Sequence, residues 1–188
     1  LFPRSAWRSG VAIAIAAFAQ MISGCHPAMT SPATQDTAAG ISADRPYTGT
    51  VADWPLFFKR HLFGAVCFDT RGCKIEYAGS DHGNAKDTPP ASVHTPERYD
   101  EIMVASYGDI ANFAPPAKLE WRAKDGEALS AEVDFAMLFK DQLVRHNVSR
   151  EQIPEDASIG FTHIVLEVND RTVNVYTRTM IPTKDAQI

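Results

Sequence analysis

The sequence predicts an α+β domain that is mainly antiparallel β-structure, sandwich-like, with three hairpins and one or two short helices. Three segments place strand-forming residues on both sides of a short turn, which is typical of hairpins. Only one stretch, residues 135–146, changes to the helical period. Elements in this order favour antiparallel pairing, because a parallel sheet needs strands that alternate with helices.

The first predicted hairpin carries two of the three cysteines of the chain. Strand-forming residues 62–68 and 73–77 flank a turn at 69–71, and this register places Cys67 opposite Cys73. Directly opposite Cβ atoms approach closely enough for a disulfide. The alternatives are two buried free thiols or half of a metal site, although the spacing does not match zinc and no second cysteine pair is present.

Residues 78–100 form the longest unpatterned stretch of the domain. So long a loop in a compact domain is usually functional, so we expect a binding loop here, with a tolerated surface insertion as the alternative. The turn after residue 68, stapled by the disulfide, predicts a rigid protruding tip. The expected partner contacts, whose three aspartates would face a basic partner, are Asp69, Thr70, Arg71, Asp81, His82 and Asp87.

The next two elements are a strand and the second hairpin. Residues 101–107 alternate between two faces and predict a strand. Residues 118–123 alternate with period two, and residues 128–134 repeat the pattern after Asp-Gly at 125–126. Asp-Gly is a strong short hairpin signal, so these two segments should pair.

A helix and the third hairpin complete the domain. Apolar residues in 135–146 share one helical face, and Asn147 can close that helix. Residues 149–152 have the spacing of a capping box and predict a short turn. Residues 162–168 and 172–180 are rich in β-branched residues and flank a turn, which predicts a hairpin.

The N-terminal segment has the composition of a secretory leader. Arg4 and Arg8 precede an apolar run at 11–22, which is shorter than the roughly 20 residues of a membrane-spanning helix. Ile-Ser-Gly before Cys25 resembles the lipobox of bacterial lipoproteins, which implies acylation of Cys25. The resemblance also implies an outer-membrane location, since the next residue is His26 and not Asp. A plain secretory leader is the alternative.

Three parts of the chain follow from this interpretation. Residues 1–24 are the signal peptide, residues 25–53 are the lipidated cysteine and a flexible tether, and residues 54–188 are a periplasmic β-rich domain. Residues 1–24 contain two of the 18 bases and no acid, so their removal leaves 16 bases against 23 acids, a net charge of −7. Binding of nucleic acid needs a basic face, so the composition argues against that partner.

The sequence offers no recognisable catalytic arrangement or cofactor motif. Ser80, Asp81 and His82 are consecutive, and adjacent residues cannot converge as nucleophile, base and orienter. Asp81, His82 and His94 could gather a metal ion, but they lack the spacing of a metal motif, so we expect no metal site. The sequence therefore favours a binding protein over an enzyme, with a weak metal-binding or hydrolytic domain as the least favoured hypothesis.

The layout of the chain resembles that of small proteobacterial lipoproteins. The resemblance rests on the lipobox at Cys25, residues 63–74, residues 115–121 with the turn at 125–126, and residues 131–134. Some such lipoproteins serve as periplasmic immunity proteins beside type VI secretion lipase effectors. The resemblance therefore implies that this chain is an anchored immunity protein that binds and neutralises a toxic phospholipase. The alternative is a structural or assembly lipoprotein of the outer membrane.

Overall fold

The computed structural model describes residues 13–16 and 47–187, which form two β-sheets and a helical layer. The strands are β1 (Ile13–Ala16), β2 (Arg60–Phe68), β3 (Thr70–Tyr77), β4 (Ser80–Asp81), β5 (Asn84–Asp87), β6 (Tyr107–Ala111), β7 (Ala117–Ala123), β8 (Ala128–Val133), β9 (Thr162–Asn169) and β10 (Thr172–Thr179). The α-helices are α1 (Pro96–Ile102) and α2 (Phe135–Leu138), and short 3-10 helices span Val51–Asp53, Ala91–Val93, Arg150–Gln152 and Lys184–Gln187.

Sheet I has the strand order β1-β10-β9-β2-β6, and sheet II has the order β4-β3-β7-β8 with β5 also paired to β3. All pairings are antiparallel except that of β2 with β9. The inner faces of the two sheets pack together around Phe63, Ile75 and Leu166. The predicted α+β, mainly antiparallel, sandwich-like fold is therefore confirmed.

Two of the three predicted hairpins are confirmed. Strands β7 and β8 pair from Ala117 opposite Val133 to Arg122 opposite Ala128, and β9 and β10 pair over their full length. In β7, exposed and buried residues alternate strictly, as expected for a strand with one face on the core. The capping box at 149–152 also forms, with the Ser149 amide donating to Gln152 Oε1 at 2.9 Å.

The first predicted hairpin is wrong, although its disulfide is confirmed. Strand β2 pairs with β6 and β9 in sheet I, whereas β3 pairs with β7 in sheet II. The chain crosses between the sheets at Asp69, which has a positive φ of 54°. Cys67 and Cys73, with Cα atoms 6.5 Å apart, therefore join the two sheets instead of two partner strands.

Helix α1 forms where the sequence predicted a loop followed by a strand at 101–107. Thr95 Oγ1 accepts the amide of Arg98 at 3.3 Å, and Pro96 occupies the first turn, where its missing N–H costs nothing. The helix covers the outer face of sheet I, where Phe68, Met103 and Val165 form a second apolar cluster. The predicted strand at 101–107 is wrong because α1 continues to Ile102, and Met103 at its C-terminal end is buried in this cluster against the sheet.

The predicted 78–100 loop contains regular structure, and the predicted 135–146 helix is much shorter than expected. Strands β4 and β5 and the start of α1 lie within the loop. Helix α2 ends at Leu138, and Asn147 does not close it. The chain turns at Gln142 (φ 54°) and pairs with residues 56–58, where Val144 donates to Leu56 O at 2.9 Å. These backbone bonds and the burial of Val144 outweigh the local helical pattern.

Packing begins earlier than the predicted boundary at residue 54. Val51 is 1% exposed. The buried carboxylate of Asp53 accepts the amides of Thr48 and Gly49, at 3.0 and 2.8 Å from Oδ2. The predicted tether end is therefore wrong for residues 51–53. Cys25, the tether up to residue 46 and all of the leader except β1 lie outside the described residues.

Candidate functional site: the outer face of sheet II

The candidate site is a groove of about 620 Å³ on the face of sheet II that points away from the core. Strands β3 and β7 bury alternate residues, so the intervening charged side chains project to solvent on this face. The polar side chains that line the groove are Arg71, Lys74, Asp81, Glu120, Arg122 and Ser130.

Two glycines allow the tight backbone geometry beside the groove. Gly72 has a φ of +76° at the register shift between β3 and β7, a conformation that costs glycine least. At Gly83, a Cβ atom would lie 2.1 Å from the carbonyl oxygen of Cys73. Only glycine lets the backbone between β4 and β5 approach β3 this closely.

The charges of the groove are mixed, with three bases and two acids among its lining residues. Lys74 stands opposite Glu120 in the β3–β7 register, and its Nζ lies 2.6 Å from Glu76 Oε1. Opposite charges on neighbouring strands stabilise the sheet modestly and hold these side chains in place.

Two arginines lie at the end of the groove beside the β7–β8 turn. Arg122 Nη1 donates to the carbonyl oxygen of Gly126 at 3.2 Å. Arg71 Nη1 reaches the same glycine, 3.8 Å from where a Cβ would stand. Arg71 makes no ion pair with any residue that the structure describes. Guanidinium groups bind carboxylates in a bidentate fork, so this end suits an acidic partner group.

The structure brings together three of the six contact residues predicted from the sequence. Arg71 and Asp81 line the groove, and Asp87 stands opposite Arg71 in the β3–β5 register. Asp81 Oδ1 accepts the amides of Gly83 at 2.9 Å and Ile75 at 3.2 Å. These bonds, chiefly that from Gly83, hold the pKa of Asp81 below its usual value. Asp81 thus shapes the groove wall.

The other three predicted contact residues lie elsewhere, and the protruding tip does not form. Thr70 is 1% exposed and its hydroxyl bonds that of Thr88 at 2.9 Å. Asp69 Oδ2 lies 3.3 Å from Lys124 Nζ. His82 Nε2 lies 3.1 Å from the carbonyl oxygen of Tyr77. Residues 69–71 form a sheet-crossing corner instead of a tip, because both flanking strands are held in different sheets.

Ser80, Asp81 and His82 do not form a catalytic arrangement. Ser80 Oγ bonds Tyr107 Oη at 3.0 Å, while Asp81 and His82 each bond backbone groups. Across the described ranges 13–16 and 47–187, no three His, Cys, Asp or Glu residues are grouped as metal ligands. Within those same ranges, no helix is long and apolar enough to cross a membrane.

A second polar cluster, which the sequence did not reveal, lies under α1. Glu167 is 3% exposed on the outer face of sheet I. Its carboxylate accepts a bond from the hydroxyl of Tyr99 and, at 3.2 Å each, from the amide groups of Asn169 and Asn174. Burial, with the bonded carboxylate, raises the pKa of Tyr99. The Tyr99 bond fastens α1 to sheet I, and the two amide bonds lie within that sheet, so we assign this cluster a structural role.

Sequence reasoning missed Glu120 and Arg122 as site residues because their position depends on strand order. Their signal was present, since both occupy outward positions of the confirmed β7 strand. Only the pairing of β7 with β3 places them beside Arg71. The chain matches no family model, no curated protein and no solved structure.

Proposed function

We propose that the chain is a membrane-anchored periplasmic lipoprotein that binds and neutralises a toxic effector, a type VI secretion phospholipase, through the groove on sheet II. The observation that carries the binding role is the pair of guanidinium groups at one end of this groove, where Arg71 has no ion-pair partner among the described residues. An exposed arginine without an ion-pair partner keeps its planar fork of N–H donors open to water, and a carboxylate on a partner can bind that fork in a bidentate way.

The groove is held in one shape before any partner arrives. The Asp81 carboxylate ties β4 to β3 by accepting the amide of Ile75, and it fixes the turn into β5 by accepting the amide of Gly83. The Cys67–Cys73 bond fixes the start of β3 against sheet I. A preorganised surface loses little conformational entropy on binding, which favours tight, stoichiometric inhibition.

Anchoring supports the same role. The lipobox-like sequence at Cys25 would hold the domain near the membrane that a phospholipase attacks, which raises its effective concentration there. The sequence predicted that Asp69, Asp81 and Asp87 would face a basic partner. The two arginines at the end of the groove instead favour a partner surface that carries acidic side chains.

The test is co-purification of the chain with the product of the neighbouring gene, together with survival of cells that express that product in the periplasm. The groove variant is Arg71→Glu/Arg122→Glu. Its matched control is Arg98→Glu/Lys140→Glu, with the same change in charge at exposed positions outside the groove lining.

We expect the groove variant to weaken binding at least about tenfold, or roughly 1.4 kcal/mol, while the control binds like the wild type. Failure to form a complex and to protect cells would discard the effector-binding function. A complex that both variants form equally well would discard the groove as its site.

A further inference from the structure

The edge of sheet I at β10 carries a second contact surface. The strand paired to this edge is β1, which spans four residues from Ile13 opposite Val175 to Ala16 opposite Thr172. Under the proposed function, residues 1–24 are removed with the signal peptide. The mature chain then presents β10 as an edge strand.

This edge lacks the features that usually protect a sheet edge from pairing. Strand β10 pairs with β9 over eight consecutive residues without a register shift, and it contains no proline or lysine. By contrast, β6, at the opposite edge of sheet I, has a register shift against β2. In sheet II, the strand β5 is only four residues long. Long, regular edges without such features accept further strands readily.

The hairpin geometry shows which backbone groups face outward. A two-residue turn, Asp170-Arg171, joins β9 to β10, so the closing pair Asn169 and Thr172 is hydrogen-bonded. Hydrogen-bonded and non-hydrogen-bonded pairs alternate along an antiparallel ladder. The N–H and C=O groups of Val173 and Val175 therefore point away from β9, toward the edge.

We propose that Thr172–Val175 is a strand-accepting site at which the mature chain binds an extended segment of the effector, antiparallel to β10. Residues directly opposite Val173 and Val175 share their side of the sheet, where these valines are 2% and 1% exposed. The effector segment must therefore be apolar at these two alternate positions, whereas the positions between them tolerate polar residues. Main-chain bonds supply affinity in this mode, and the alternate apolar positions supply specificity.

One partner can reach both this edge and the groove. Arg171, in the β9–β10 turn, forms ion pairs of 2.5 Å with both Asp125 and Glu127, which join β7 to β8. The edge therefore begins beside the hairpin that forms one wall of the groove. This inference rests on the proposed function, because an effector occupies the edge.

The first experiment measures the edge alone. The probe is a synthetic peptide of residues 11–18 of the chain, added to the mature chain carrying Cys25→Ser so that it is not acylated. Amide hydrogen exchange is followed by NMR. We expect the peptide to slow exchange of the Val173 and Val175 amides about tenfold or more, and to leave the β6 edge unchanged.

Two N-methylated peptides separate strand pairing from apolar contact. Methylation at Ile13 and Ile15 blocks the amides that face β10 and should weaken binding at least about tenfold. Methylation at Ala14 and Ala16 blocks the amides that face away and should preserve binding. Equal loss with both peptides, absence of protection, or protection that rises with protein concentration without peptide would overturn the strand-accepting site.

The second experiment measures the same amides in the complex recovered with the effector. Protection of Val173 and Val175 supports an effector strand at the edge. A complex that leaves them unprotected overturns the inference and leaves the proposed function intact. If no complex forms, the proposed function is lost, and the peptide experiment still decides whether the edge accepts a strand.

Discussion

His61 should make the stability of the domain depend on pH. Its side chain is fully buried, at 0% exposure, and its Nε2 lies 3.1 Å from Tyr77 Oη. Burial lowers the pKa of His61 to about 4, and the neighbouring backbone of Asn112 offsets this only in part. The folded protein therefore holds His61 neutral at pH values at which the unfolded chain binds a proton.

The sign follows from the order of the two pKa values. At pH values above the pKa of about 6.5 in the unfolded chain, His61 is neutral in both states, and its titration does not change the free energy of unfolding. As the pH falls below that pKa, protonation stabilises the unfolded state alone, until the folded protein also binds the proton near pH 4. The two pKa values give a loss of about 2 kcal/mol between about pH 8 and pH 5, and about 3 kcal/mol below pH 4.

The assay is urea unfolding of the wild type and of His61→Gln at several pH values. The glutamine amide can still bond the hydroxyl of Tyr77 but does not titrate. The variant should be less stable than the wild type near pH 8, and the difference should shrink by about 2 kcal/mol near pH 5. A difference that stays constant with pH would refute the assignment of a buried, neutral His61.

Two further predictions concern what holds the three layers together. Reduction of the Cys67–Cys73 bond should lower the free energy of unfolding by about 2.4 kcal/mol, from closure of a short loop with a sequence separation of 6; a urea midpoint that reductant does not move would contradict it. Tyr99→Phe should cost about 1.5–3 kcal/mol, because it removes a bond to the buried Glu167 carboxylate, and should speed amide exchange in α1. Tyr47→Phe, at a half-exposed tyrosine, is its control and should change stability by less than about 0.5 kcal/mol; equal losses in both variants would exclude a special role for the Tyr99 bond.

Local sequence was sufficient where an element pairs with its immediate neighbour in the chain. The β7–β8 and β9–β10 hairpins have alternating residues and short turns, so turn and register are set within about 20 residues. The pairing of Cys67 with Cys73 was also predictable, because six residues of chain keep the two thiols close in either a hairpin or a corner.

Local sequence was insufficient where a distant segment competes for the same backbone groups. Residues 135–146 have a helical pattern, but residues 56–58 take up the backbone groups at 142–144 as bridging partners. Residues 101–107 alternate like a strand, but the capped helix α1 runs to Ile102, packs Tyr99 and Ile102 partly buried against sheet I, and is followed by the buried Met103. The secondary structure of both segments therefore depends on which distant residues pack or pair with them, and the local sequence does not specify those partners.

The candidate site shows the same division. The sequence by itself predicted Arg71 and Asp81 as contact residues, and the structure places both in the groove lining. It also predicted the Cys67–Cys73 bond, since this follows from residue type and short spacing. Only the tertiary structure decided that β2 and β3 belong to different sheets, which buries Thr70 and places Arg71 beside Arg122. The physical reason is that an isolated strand pattern fixes which side chains point outward, whereas strand order across the sheets fixes which of them meet.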